Sequence, residues 1–127
     1  MLRLLLVAFF AIAISGTASA QSASGRWSGN WISDKNGHTG TLHARLRQID
    51  DDTYRAAFHG RFAKVIPFWY STKMHVEGAG DGAVVLGVSQ RLPLVGEYRT
   101  TAVVTATDFN AIYTSKSDSG RFVMKRR

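Results

Sequence analysis

Four histidines, nine carboxylates and no cysteine set the range of chemistry open to this chain. The lack of cysteine removes thiolate catalysis, thiolate metal ligation and disulfides together. No serine sits in a strained elbow motif, and no carboxylate falls behind a histidine by strand parity, so a nucleophilic triad has no material to be built from. His43 and His59 come closest to a reactive pair: if their strands form a hairpin they oppose each other on its outer face, with Asn30 beside His43. Two imidazoles at that spacing suit a transition metal or a shared proton. A third ligand is not evident, because the irregular connection at 60–67 leaves the register of His75 open. Asp50-Asp51-Asp52, Asp81 and Asp108 lack calcium-loop spacing and read as turn residues and surface ion-pair partners. The sequence therefore predicts no catalytic residue, no metal and no cofactor; an enzyme built on the outer histidines is the weakest alternative.

Binding chemistry is better represented. Thr72, Gln90 and Thr100 share the inward parity of their strands and would orient a bound molecule, or else bond each other or a buried water. Two connections are apolar and basic where loops are normally polar: Gly60 to Pro67, followed by Phe68-Trp69-Tyr70, and Arg91 to Gly96. Phe62, Ile66, Phe68, Tyr70, Leu94 and Val95 would form a rim for ligand entry or docking, or fold inward as a plug.

The elements that must position these groups begin after a leader. Arg3, the apolar run Leu4 to Ile14 and the small residues Ala18-Ser19-Ala20 read as a signal peptide spanning 1–20, cleaved before Gln21. The run is well short of the ~20 residues a spanning helix needs. An exported protein, periplasmic or extracellular and not transmembrane after processing, is the expectation. Arg3 leaves with the leader, so fifteen basic residues face nine acidic ones, a net charge of +6 over residues 21–127. Because the cations are spread singly along the chain, with Lys125-Arg126-Arg127 the exception, specific nucleic-acid binding is not expected. The charge balance reads first as solubility, with contact with an anionic envelope polymer or a partner protein as the alternative.

Residues 21–127 suffice for one domain. No window has a helical period. Alternating segments recur near 25–33, 38–49, 53–62, 68–77, 83–92, 96–105, 109–116 and 121–126, separated by turn residues. Turn geometry then sets the pairing. A two-residue Asn36-Gly37 turn places Trp31 opposite Leu42 and Trp27 opposite Leu46; an Asp50–Asp52 turn places Ala44 opposite Phe58. Turns at Thr107-Asp108 and Ser117–Gly120 place Ala102 opposite Tyr113 and Tyr113 opposite Met124. One apolar face then runs through all eight strands, while Arg45, Arg47, Arg55, Lys73 and Arg99 point outward. The prediction is all-β: a single, soluble, eight-stranded antiparallel up-and-down β-barrel, the reverse of a transmembrane barrel with its polar lumen.

Gly25-x-Trp27, Thr107-Asp108-Phe109-Asn110-x-x-Tyr113 and the inward Arg126 together resemble the lipocalins and the wider calycin superfamily of small-ligand barrels. The resemblance implies a lipocalin-like domain over 21–127, with Arg126 lying across Trp27 or Trp31 to close one end and the ligand entering at the other. Family members usually have a long lid-like first loop and a helix after the eighth strand. This sequence has Asp34-Lys35-Asn36-Gly37 for the first and no such helix, and its strands are short and rich in large inward aromatics, all of which argues against a large cavity. The leading functional expectation is binding of a small apolar or amphipathic, lipophilic ligand at the 60–67 and 92–96 end. The alternative is a filled, non-catalytic barrel acting as a structural or adhesive module.

Overall fold

Alternating bulky and polar residues leave each segment one apolar face, and a meander of such segments buries that face most completely by closing on itself. The computed structural model describes residues 23–62, 66–92, 96–116 and 118–127, and within them the chain forms a closed barrel. The expected leader, Gln21, Leu94 and Val95 lie outside the described residues. The strands are β1 (Gly25–Ser33), β2 (Thr39–Asp50), β3 (Thr53–Phe62), β4 (Ile66–Gly80), β5 (Ala83–Leu92), β6 (Gly96–Val104), β7 (Asp108–Ser115) and β8 (Ser119–Arg126). Each is antiparallel to the next, and β8 returns to β1 from Trp27↔Arg126 to Ser33↔Gly120.

The expected inward face is the observed one. Trp27, Leu42, Tyr54, Met74, Leu86, Val104 and Phe109 are fully enclosed, and Tyr70, Val88 and Tyr98 pack against that core half-buried. Ala44, Ala56 and Ala111 join it as small residues beside the large rings. Apolar residues inside and arginines outside reverse the arrangement of a lipid-facing barrel, and no helix among the described residues is long and apolar enough to cross a membrane.

Three registers differ from expectation, each by an even number, so parity survives. The first hairpin turns through four residues, Asp34 to Gly37: Ser33 N–H bonds to His38 O at 2.8 Å, and Gly37 takes a positive φ of 74° at the loop's end. Trp31 therefore faces Gly40 and Trp27 faces Ala44. At the β6–β7 turn the Thr105 hydroxyl accepts the Thr107 and Asp108 amides, which moves the turn one residue earlier and sets Ala102 against Ala111. At the β7–β8 turn the Ser115 amide bonds to Asp118 O, so Gly120 is not a turn residue; it lies in β8 opposite Tyr113. A Cβ on Gly120 would strike the Ile32 carbonyl oxygen and the Tyr113 hydroxyl, which is why glycine is there. The β2–β3 register is as expected from Leu46↔Ala56 through His43↔His59, with a bulge only at Ile49.

Two further corrections bear on the open end, where the β1–β2, β3–β4, β5–β6 and β7–β8 connections gather. Of the stretch 60–67, residues 60–62 and 66–67 are ladder rather than loop, through Gly60↔Phe68, Arg61↔Pro67 and Phe62↔Ile66; likewise Leu92 pairs with Gly96. Second, β4 and β5 pair only from His75↔Gly87 to Gly80↔Ala83, with a bulge at Glu77. Towards the open end no ladder pairs them among the described residues, and side chains bridge the seam instead: Thr72 Oγ1 donates to Gln90 Oε1 at 2.8 Å, and the Tyr70 and Tyr98 hydroxyls meet at 3.3 Å.

Candidate functional site

The closed end is held by one side chain. Arg126 lies with its guanidinium carbon 4.3 Å from the Trp27 ring centroid. Its Nε donates to Ala106 O and its Nη1 to Ser24 O, both at 2.7 Å, and its backbone amide donates to Thr107 O at 3.0 Å. The head thus joins the N-terminal strand to the β6–β7 turn. Gly25 is required beside it: its φ is 134°, and a Cβ there would sit 2.7 Å from Nη1. Trp31 takes no part in this closure, contrary to expectation. Four residues of extended strand, about 13 Å, carry it to the opposite end, where its ring stacks on Phe62 with centroids 5.9 Å apart and its Nε1 donates to Arg61 O at 3.0 Å.

At the open end the barrel finishes in a cup of about 190 Å³. Phe62, Phe68 and Tyr70, all expected rim residues, line it with Trp31. Ile66 is opposite Phe62 and more than half exposed, but does not line the cup. The interior polar residues divide: Thr72 and Gln90 bond each other, whereas the Thr100 hydroxyl is buried with no hydrogen-bond partner among the described residues. Tyr98, Tyr113, Phe122 and Asp118 complete the lining and were not expected as site residues. Strand parity marks Tyr98, Tyr113 and Phe122 as core and Asp118 falls in the Ser117–Gly120 turn; what brings them together is the meander rule that alternate turns share an end.

Burial raises the ionisation of Tyr70, Tyr98 and Tyr113 above the ordinary tyrosine value of 10.0, and at Tyr113 the hydrogen bond to Asp118 and that carboxylate's charge add to it. All three folded values lie above the unfolded one, so the stability they contribute is complete below pH 10 and is lost as pH rises through and beyond it. Urea titrations should show the unfolding free energy falling above about pH 10, with a shallower fall for Tyr113→Phe.

The outer face of β1 to β4 is the third arrangement. Register sets Ser28, His43, His59 and Trp69 in one row across four strands. The two imidazoles stack with centroids 4.8 Å apart, as expected, but the shifted β1–β2 register puts Ser28 rather than Asn30 beside His43, with Ser28 Oγ and His43 Nδ1 hydrogen bonded at 2.9 Å and Asn30 opposite Thr41. Burial, then the neighbouring His59 and Arg127, lower the His43 ionisation below the ordinary histidine value. No third ligand joins them: among the described residues no group of three His, Cys, Asp or Glu is placed to hold a metal. The stack is instead a ridge between two hollows. One, about 370 Å³, is lined by Arg26, Arg45 and Arg127. The other, about 300 Å³, is lined by Arg61, Pro67, Phe68 and Trp69. Beyond the row of Arg26, Arg45, Ala57 and Ser71, the row after it places Arg47, Arg55 and Lys73 directly opposite one another. The ion pairs found among the described residues, Arg121 with Asp34 and Lys125 with Asp108, leave every one of these cations uncompensated.

The molecule belongs to the class of closed eight-stranded antiparallel β-barrels. Among solved structures it is similar to a redesigned β barrel, with a TM-score of 0.65 and 16% sequence identity over 87% of this chain and 95% of that one. At that identity the likeness shows the fold alone. No protein-family model and no curated protein matches the sequence.

Proposed function

We propose that this protein is an exported, non-catalytic barrel that docks on an anionic envelope polymer through the outer face of β1 to β4. The observation that carries this reading is the row Arg47–Arg55–Lys73 beside the Arg26–Arg45–Arg127 hollow. Like charges directly opposite on adjacent strands destabilise a sheet, and among the described residues no carboxylate forms an ion pair with them, so an anion shared between them would recover what the bare sheet loses. Trp69, 76% exposed at the end of the histidine row, offers an apolar ring against which a sugar or similar flat unit would pack. The leader supports export, and Arg126 on Trp27 behind Gly25 supports kinship with the lipocalin-like barrels. An internal lipophilic cargo is less well supported. Trp27, Phe58, Phe109, Phe122 and Met124 fill the interior, and the cup left above them is smaller than the ~300 Å³ at which pockets for drug-sized ligands begin.

Heparin, used as a sulfated polyanion probe, tests the reading. The triple variant Arg45→Glu, Arg47→Glu, Arg55→Glu should elute from immobilised heparin at much lower salt than the parent. The matched variant Arg91→Glu, Arg99→Glu, Arg121→Glu changes net charge equally on other strands and should elute near it. Equal losses in both would mean that net charge alone retains the protein, and the docking face would be abandoned.

A further inference from the structure

We propose that the open-end cup binds a compact quaternary ammonium group, a site separate from the polymer-docking face. Tyr70, Tyr98, Tyr113 and Phe122 of its lining belong to a closed circuit of aromatic contacts that Phe58 completes from the core below. Tyr70 stacks on Phe58 at 5.1 Å, Phe58 meets Phe122 at 5.7 Å, Phe122 meets Tyr113 at 5.2 Å and Tyr113 meets Tyr98 at 6.2 Å between centroids. The Tyr98 hydroxyl then returns to that of Tyr70 at 3.3 Å, across the unpaired stretch of the β4–β5 seam. The stacked Trp31–Phe62 pair borders the same space. Aromatic faces carry negative charge density and attract a cation brought within about 6 Å of the ring centroid.

A carboxylate fixes the sign of the ligand. Asp118 lines the cup and forms no ion pair among the described residues. Its oxygens accept hydrogen bonds from two neutral hydroxyls, Ser33 Oγ at 2.6 Å and Tyr113 at 3.0 Å, which hold it in place without cancelling its charge. The Asp118 carboxylate beside the Tyr113 hydroxyl also disfavours that group's ionisation, so the cup wall carries a negative charge although the chain as a whole carries +7. This carboxylate repels an anion, and a neutral apolar ligand would leave it without a counter-charge. A primary ammonium is strongly hydrated and would need several acceptors to replace its water. The walls are mostly aromatic carbon, which suits an ammonium whose hydrogens have been replaced by methyls. The volume of about 190 Å³ admits such a head group but not a long chain.

Ligand-observed proton NMR decides the matter with choline and its neutral isostere, in which a quaternary carbon replaces the nitrogen. On titration with the full chain the choline methyl resonance should move upfield through the ring currents, saturably, with an affinity at least about tenfold above that of the isostere. Asp118→Asn should remove most of that preference and leave binding of the isostere unchanged. Tyr98→Leu, made as a second variant in case the first does not fold, should weaken choline more than the isostere. Equal binding of the two ligands by the parent protein, or no saturable shift with choline, overturns the proposal without needing either variant, and neither result touches the heparin experiment.

Discussion

Alanine at Gly29 is expected to lower the unfolding free energy by at least about 3 kcal/mol, a large share of the 5–15 kcal/mol typical of a domain this size. Gly29 lies midway between the two indoles of β1, opposite Leu42 on one side and Met124 on the other. A Cβ there would fall on the Val123 carbonyl oxygen and 2.7 Å from the Met124 Cα. Both obstacles are backbone of the strand that closes the barrel, so relief requires β1 and β8 to move apart rather than a side chain to swing away. Glycine to alanine at an unstrained position normally stabilises by about 0.4–1 kcal/mol through the unfolded chain. Gly78 supplies the comparison, since nothing lies within 4 Å of its Cβ position. Urea unfolding of the two alanine variants should give opposite signs, and a mild effect at Gly29 would mean that the β1–β8 approach is looser than described.

Arg126→Ala is expected to cost about 2–3 kcal/mol. Charged hydrogen bonds contribute roughly 1.5–3 kcal/mol and a cation–π contact about 0.5–2 kcal/mol, but partial exposure of this side chain reduces the sum. Arg126→Lys should recover little, because a lysine head cannot reach Ala106 O and Ser24 O from opposite edges while lying flat on Trp27. Recovery of full stability by lysine would reduce the role of this residue to its charge. The loss should appear mainly in the amides of β1, β8 and the Thr107 turn, which hydrogen exchange resolves.

Which residues face inward was legible in the sequence because parity is written locally, in the alternation of Trp27, Gly29 and Trp31 or of Val84, Leu86 and Val88. Which residue faces which was less so. Register depends on whether the Thr105 hydroxyl caps its own turn and whether Gly37 closes a loop of four residues or two, and composition does not distinguish these. Gly120 misled for a related reason: a glycine needed for close packing looks the same in a sequence as one needed for a turn. The outer row of His43 and His59 was read correctly because the β2–β3 turn left that register untouched. The cup was half visible. Phe62, Phe68 and Tyr70 stood out as apolar residues in or directly after what looked like a loop, whereas Tyr98, Tyr113 and Asp118 join them only through a topology that spans most of the chain.

The pairing of β1 with β8 also governs how the protein can be made. Trp27 and Arg126 are about a hundred residues apart, and such distant contacts form late because the intervening chain must first be brought together. A nascent chain emerging N-terminus first has both indoles of β1 ready long before their permanent neighbour exists. It can form the β1–β2 and β2–β3 hairpins, but not the enclosure that makes them stable. Completion waits for the eighth strand, so the seven strands before it stay open to rearrangement until that strand has been made.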